Sequence, residues 1–293
     1  MMIYNPIDVY YSMLEGKYPF MDIHSVQNEF RTKIINKESF FAGRLGMNEV
    51  SFMRAVYFGY KKKIPKCMEL LNICAGFFPQ NEELGPRFLE KNIDALTKVD
   101  YYLPLKVRGN KFFSSKFCRS DVKYVPGVSS FVLDDPWTSA LQGKTVLVIH
   151  PFEDTIRQQY EKREYLFPDN PNKLPEFNLK TIRAVQTAAT ERDERFLDWF
   201  EALDWMCDQI SKVSFDVALI GCGAYGFPLG AFCREQGKIA IHMGGELQLQ
   251  FGILGNRWEN SEAVKKLRNE YWVYPKENEK PKKAYMIEGG CYW

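Results

Sequence analysis

Residues 214–246, SFDVALIGCGAYGFPLGAFCREQGKIAIHMGGE, constrain this chain more than any other segment. The apolar run at 215–220 reads as a buried strand, and Gly221-Cys222-Gly223-Ala224-Tyr225-Gly226 as a glycine-rich turn opening a helix; residues 238–241 read as a second strand. Two strands joined through a helix lie parallel in one sheet, which commits the chain to an α/β architecture. The turn spells GxGxxG, a pattern in which glycines let backbone approach a phosphate at a positively polarised helix N-terminus.

The same alternation recurs upstream. A strand at 39–45 precedes a helix from about Asn48, and two helices at 65–75 and 81–97 lead to a strand at 99–105. The clearest buried strand, 144–149, ends at His150-Pro151 before a helix at 153–166, and 179–187 alternates as a strand. A helix over 23–35 is expected to be capped by Ser25, whereas 106–128 reads as an irregular basic loop and the Lys/Glu/Pro stretch 275–283 as a solvated connector. The expected fold is α/β and Rossmann-like, a mostly parallel sheet with helices on both faces. It is expected to form a single domain over 1–293, with an N-terminal helical extension at 1–36, a core at 37–274 and a tail at 275–293.

Composition excludes several functions. Lys plus Arg number 39 against 37 for Asp plus Glu, so there is no sequence-wide attraction to nucleic acid, and no nucleic-acid partner is expected. The N-terminus lacks the basic and apolar regions of a signal peptide, and no apolar window is long enough to span a membrane; a cytoplasmic location is expected. The seven cysteines form no CxxC pair, as befits reduced thiols. There is no HExxH zinc motif, no GxSxG elbow and no Walker lysine after the glycine turn. A dinucleotide site wants an acid at the end of its second strand, and here that place holds His242-Met243.

In parallel sheets ligands bind beyond the carboxyl ends of the strands, so the polar residues there are the candidates. Arg44 can grip a phosphate or carboxylate bidentately. Glu49, in a first helical turn, can act as a base, orient a hydroxyl or ligate a metal, and reads also as an ordinary dipole-favoured carboxylate. His150 and His242 end two strands, as phosphate donors or bases or as structural imidazoles. Gly244 and Gly245 suggest a tight turn at the mouth of the site, Glu246 follows as a further candidate base, and Gln186 and Thr187 lie near another strand end.

Arg44-Leu45-Gly46-Met47-Asn48-Glu49, together with the glycine turn Gly221, Gly223, Gly226 and the later His242-Met243-Gly244-Gly245, resembles the type D (GT-D) fold family of glycosyltransferases. These are Rossmann-like bacterial enzymes of polysaccharide biosynthesis, whose early turn runs Arg-Phe-Gly-Asp-Gly-Glu with its Asp-x-Glu element beside the donor diphosphate and metal. The resemblance implies transfer of a sugar from a nucleotide-sugar donor to a glycan or lipid-linked acceptor, with peripheral membrane contact compatible with the latter. It implies Glu49, His150 and Glu246 as catalytic candidates, and Arg44, Gly46, Gly221, Gly223, Gly226, His242, Gly244 and Gly245 as donor-binding residues. A Mg or Mn ion shared with the donor diphosphate would have Glu49 as its ligand, but Met47 stands where the family has its aspartate. The competing expectations are a Rossmann-like enzyme using NAD(P) or S-adenosylmethionine, and a non-catalytic nucleotide-binding module.

Overall fold

A computed structural model describes residues 18–293; the first half of the expected extension at 1–36 thus lies outside the described residues. The described chain opens with helix α1 (Ile23–Ile35), β1 (Phe41–Gly43), α2 (Met47–Tyr57), α3 (Ile64–Ala75) and α4 (Gly85–Leu96). Then come β2 (Tyr101–Tyr102), α5 (Asn110–Phe117), β3 (Lys123–Tyr124), β4 (Thr145–His150), α6 (Glu153–Glu161), α7 (Arg163–Leu166) and β5 (Asn178–Arg183). The chain continues through α8 (Trp199–Ser211), β6 (Val217–Ile220), α9 (Gly226–Glu235), β7 (Ile239–His242), α10 (Leu247–Gln250) and α11 (Glu262–Leu267). The strands form one sheet of order β3-β2-β1-β7-β6-β4-β5, and every strand pairing is parallel.

Successive strand residues serve opposite faces, as the two-residue period of a strand requires. Leu147, Ile149, Ala218 and Ile220 enter a core built with α2, α3, α4, α8 and α9, whereas Val146, Val148, Val217 and Leu219 enter a second core with α1, α6 and α10. Both faces are therefore covered, which is why these strands read as continuous apolar runs.

Four local expectations are corrected. The α1 cap is Asp22, whose carboxylate accepts the Ser25 backbone N–H. The basic stretch at 106–128 is irregular only in part, because α5 buries Phe113 against Tyr57 and Phe117 and is followed by β3. The helix expected over 153–166 breaks at Lys162 into α6 and α7. The stretch 275–283 is anchored by Glu279, only 3% exposed, which accepts the Asp154 and Thr155 backbone N–H groups at the start of α6. A carboxylate in that place satisfies orphan donors and the helix dipole together.

Candidate functional site

Beyond the carboxyl ends of β1, β4, β5, β6 and β7 lies a cavity of about 350 Å³. The sheet winds outward from β1 to β3, then resumes on the other side at β4, so the cavity sits where the strand order reverses. Of the residues singled out in the sequence, Arg44, Gly46, Glu49, His150, Gln186, Thr187, Gly221, Gly223, His242, Gly244 and Gly245 line it. Two do not. Glu246 lies in the turn before α10 and takes a hydrogen bond from the Ser129 hydroxyl, and Gly226 lies behind the wall against the His242 ring.

Arg44 leaves β1 and is half-buried; among the described residues it forms no ion pair, its side chain reaching only the Met243 carbonyl at 3.4 Å. Gly46 then caps α2 in extended conformation, and Glu49 occupies the first turn with 8% exposure. The Glu49 carboxyl folds back over Gly46, where any Cβ would collide with it. A side chain at 46 would have to displace the Glu49 carboxyl from this place. Burial pushes the Glu49 carboxyl above the ordinary range, opposed by its own backbone N–H and by the charge of Arg44.

The two histidines hold opposite tautomers. His150 Nδ1 accepts the Phe152 backbone N–H at 3.0 Å, so the proton of the neutral ring is on Nε2. His242 Nδ1 lies 3.1 Å from the Arg44 carbonyl, which can only accept, so its proton is on Nδ1 and Nε2 is bare. Burial lowers both rings to about 3, with the Arg44 charge adding to the effect at His242. His150 therefore offers the cavity a neutral N–H donor. Its free lone pair is already taken, which removes it from the candidate bases; Glu246 is removed by position.

The glycines of the turn answer to packing. At Gly223, where φ is +56°, a Cβ would stand 2.7 Å from the Ala75 carbonyl at the end of α3; at Gly221 it would stand 2.6 Å from the Gly244 carbonyl and 2.8 Å from the His150 ring. Gly226 abuts His242. Backbone from Gly221 to Gly223 still faces the cavity at the start of α9, but what demands glycine there is neighbouring protein. Gly226→Ala is expected to destabilise the fold by about 1–3 kcal/mol through overpacking, whereas Gly127→Ala, with open space around its Cβ, should stay within about 0.5 kcal/mol. Urea titrations of the two variants check this.

A further wall comes from residues that pattern reading passed over. Ile287, Glu288, Tyr292 and Trp293 cross one side of the cavity, although 275–293 was expected to be a tail. Arg257 holds them: Nη2 pairs with Glu288 at 2.5 Å, Nη1 donates to the Tyr292 hydroxyl at 2.9 Å, and the guanidinium lies 4.6 Å from the Tyr292 ring centre. Gly245 and Gly255 leave the room that Tyr292 occupies. Trp293 packs edge-on to Phe152 at 5.7 Å. The signal in the sequence was the apolar ending Cys291-Tyr292-Trp293, out of keeping with a solvated tail.

The described residues offer a divalent metal few ligands of their own. Among the described residues no group of three or more His, Cys, Asp or Glu side chains is placed to hold an ion. Met47, 54% exposed, is no ligand for a hard cation, and burial makes the Glu49 carboxyl harder to ionise, which weighs against its holding one.

No protein-family model and no curated protein matches this chain. Two solved structures are similar across most of its length. One, described as the selenomethionine-substituted structure of domain of unknown function 1792, is 13% identical with TM-score 0.38, over 84% of this chain and 92% of that chain. The other, described as "The highly conserved domain of unknown function 1792 has a distinct glycosyltransferase fold", is 12% identical with TM-score 0.37, over 86% and 91%. At TM-scores this low, neither similarity decides what the cavity of this seven-stranded parallel α/β fold holds.

Proposed function

We propose that this chain is a glycosyltransferase that moves a sugar from a nucleotide-sugar donor to a glycan or lipid-linked acceptor. The observation behind this reading is one convergence. A single cavity at the ends of five parallel strands gathers an arginine that forms no ion pair among the described residues, an imidazole fixed as a neutral donor, and a buried carboxyl with a raised pKa.

When the sugar leaves, charge grows on the departing diphosphate oxygen. Arg44, the His150 Nε2–H and the Gly221–Gly223 backbone leading into α9 are the groups that stabilise it. The acceptor hydroxyl loses its proton as it attacks, and Glu49 is the carboxylate that receives it. Phe152, Tyr292 and Trp293 offer aromatic faces on which a sugar or base can lie. Among the described residues no helix is long and apolar enough to cross a membrane, so a lipid-carried acceptor would be met at the membrane surface.

Thermal unfolding in the presence of UDP, GDP, CDP, NAD or S-adenosylmethionine tests the reading. At about a hundred times its dissociation constant, at least one nucleoside diphosphate should stabilise the chain by about 2.7 kcal/mol. Stabilisation by NAD or S-adenosylmethionine alone would replace the transferase with one of those enzyme classes.

A further inference from the structure

We propose that Arg44 and Arg257 form an anion site that holds the donor diphosphate without a divalent ion, and that Glu288 occupies Arg257 in the free protein and is displaced on binding. The inference rests on the transferase reading and adds to it the chemistry of the leaving-group site and a built-in competitor.

Both arginines line the cavity. Arg44 reaches only one carbonyl, and that bond is long, so nearly all five of its guanidinium donors are available in a half-buried place where a phosphate is their natural partner. Arg257 is oriented by Tyr292, whose hydroxyl accepts from it and whose ring supports its face. Its charged partner is Glu288, a side chain about half exposed. Exposed pairs of this kind are weak, and a diphosphate brings more charge and more acceptor oxygens than one carboxylate.

The backbone around Glu288 suits such an exchange. Glu288 has φ of +48°, sparsely populated for a side-chain-bearing residue, and Gly289 and Gly290 continue in the left-handed region at +73° and +83°. The flanking residues Ile287, Cys291 and Trp293 are buried. Glu288 can therefore swing away from Arg257 while its neighbours keep the wall of the cavity in place. The two arginines bring positive charge to a cavity where, among the described residues, no group of three or more His, Cys, Asp or Glu side chains is placed to hold a cation.

Isothermal titration calorimetry on the full chain tests this, with UDP, GDP, CDP and inorganic pyrophosphate, each in EDTA and in manganese. At least one nucleoside diphosphate should bind equally well in both conditions. Arg257→Gln and Arg44→Gln should each weaken it about tenfold or more, as loss of a charge-assisted contact does. Glu288→Gln should tighten it about two- to fivefold, the affinity equivalent of an exposed ion pair. Binding only in manganese overturns the metal-free site and leaves the transferase reading standing. Unchanged or weaker binding by Glu288→Gln, with its melting temperature preserved, overturns the competitor role. Binding of no nucleoside diphosphate under either condition overturns this inference and the transferase reading together.

Discussion

Glu49→Gln is expected to reduce sugar transfer by about 10²–10⁴-fold, the range for loss of a positioned general base, while the protein remains folded. Glutamine fills the same space over Gly46 and cannot take a proton. The stability readout separates this from a structural role. The folded state binds the Glu49 proton more tightly than the unfolded state, so ionising that carboxyl in its buried place costs stability above its raised pKa. The variant should therefore melt at or above the wild-type temperature at pH 8, with the difference shrinking below the usual carboxylate range. In the wild type, turnover should rise with pH across the same raised pKa, because the base works only when ionised. Equal turnover by both proteins would return Glu49 to a helix-terminus carboxylate; loss of stability at pH 8 would point the same way.

Acid is expected to unfold this chain steeply. His150 and His242 are held at about 3 when folded and stand near 6.5 when unfolded, so the unfolded state binds more protons between those values. Their stabilisation is fully present above about pH 6.5 and is lost as pH falls toward 3, at up to about 1.4 kcal/mol per pH unit for each ring. Together the two rings give a slope near 2.7 kcal/mol per unit in the middle of that window, enough to remove much of a typical domain's stability by about pH 4.5. Urea unfolding at closely spaced pH values measures the slope. His150→Asn, whose Oδ1 stands where Nδ1 did and can still accept the Phe152 N–H, should roughly halve it. A flat profile between pH 6.5 and 4.5 would mean that the rings are solvated and their tautomers free to change.

The legible parts of this molecule are those written in neighbouring residues. Residues 146–149 and 217–220 are apolar at every position because both faces of the sheet are covered, and that local fact gave the strands and their parallel arrangement. Arg44, Glu49, His150 and His242 were found because each ends or closely follows a strand, and strand ends are local too. The α5 helix was missed because its cations hide the apolar period; Phe113 becomes a core residue only against Tyr57, far away in the chain.

A parallel α/β sheet and most of the polar residues around its cavity were legible from local sequence, since a continuous apolar run and the strand end that closes it are properties of short segments. Tertiary structure alone decided what those residues can do. The His150 tautomer is set by the Phe152 N–H, but that of His242 is set by the Arg44 carbonyl, and Gly223 is demanded by the Ala75 carbonyl. The pairing of Arg257 with Glu288 and Tyr292 brings a cation to the cavity from outside the strand ends. Proton placement, close approach and ion pairing depend on atoms a few ångströms apart in space, and most of these partners are separated by tens to hundreds of residues of chain.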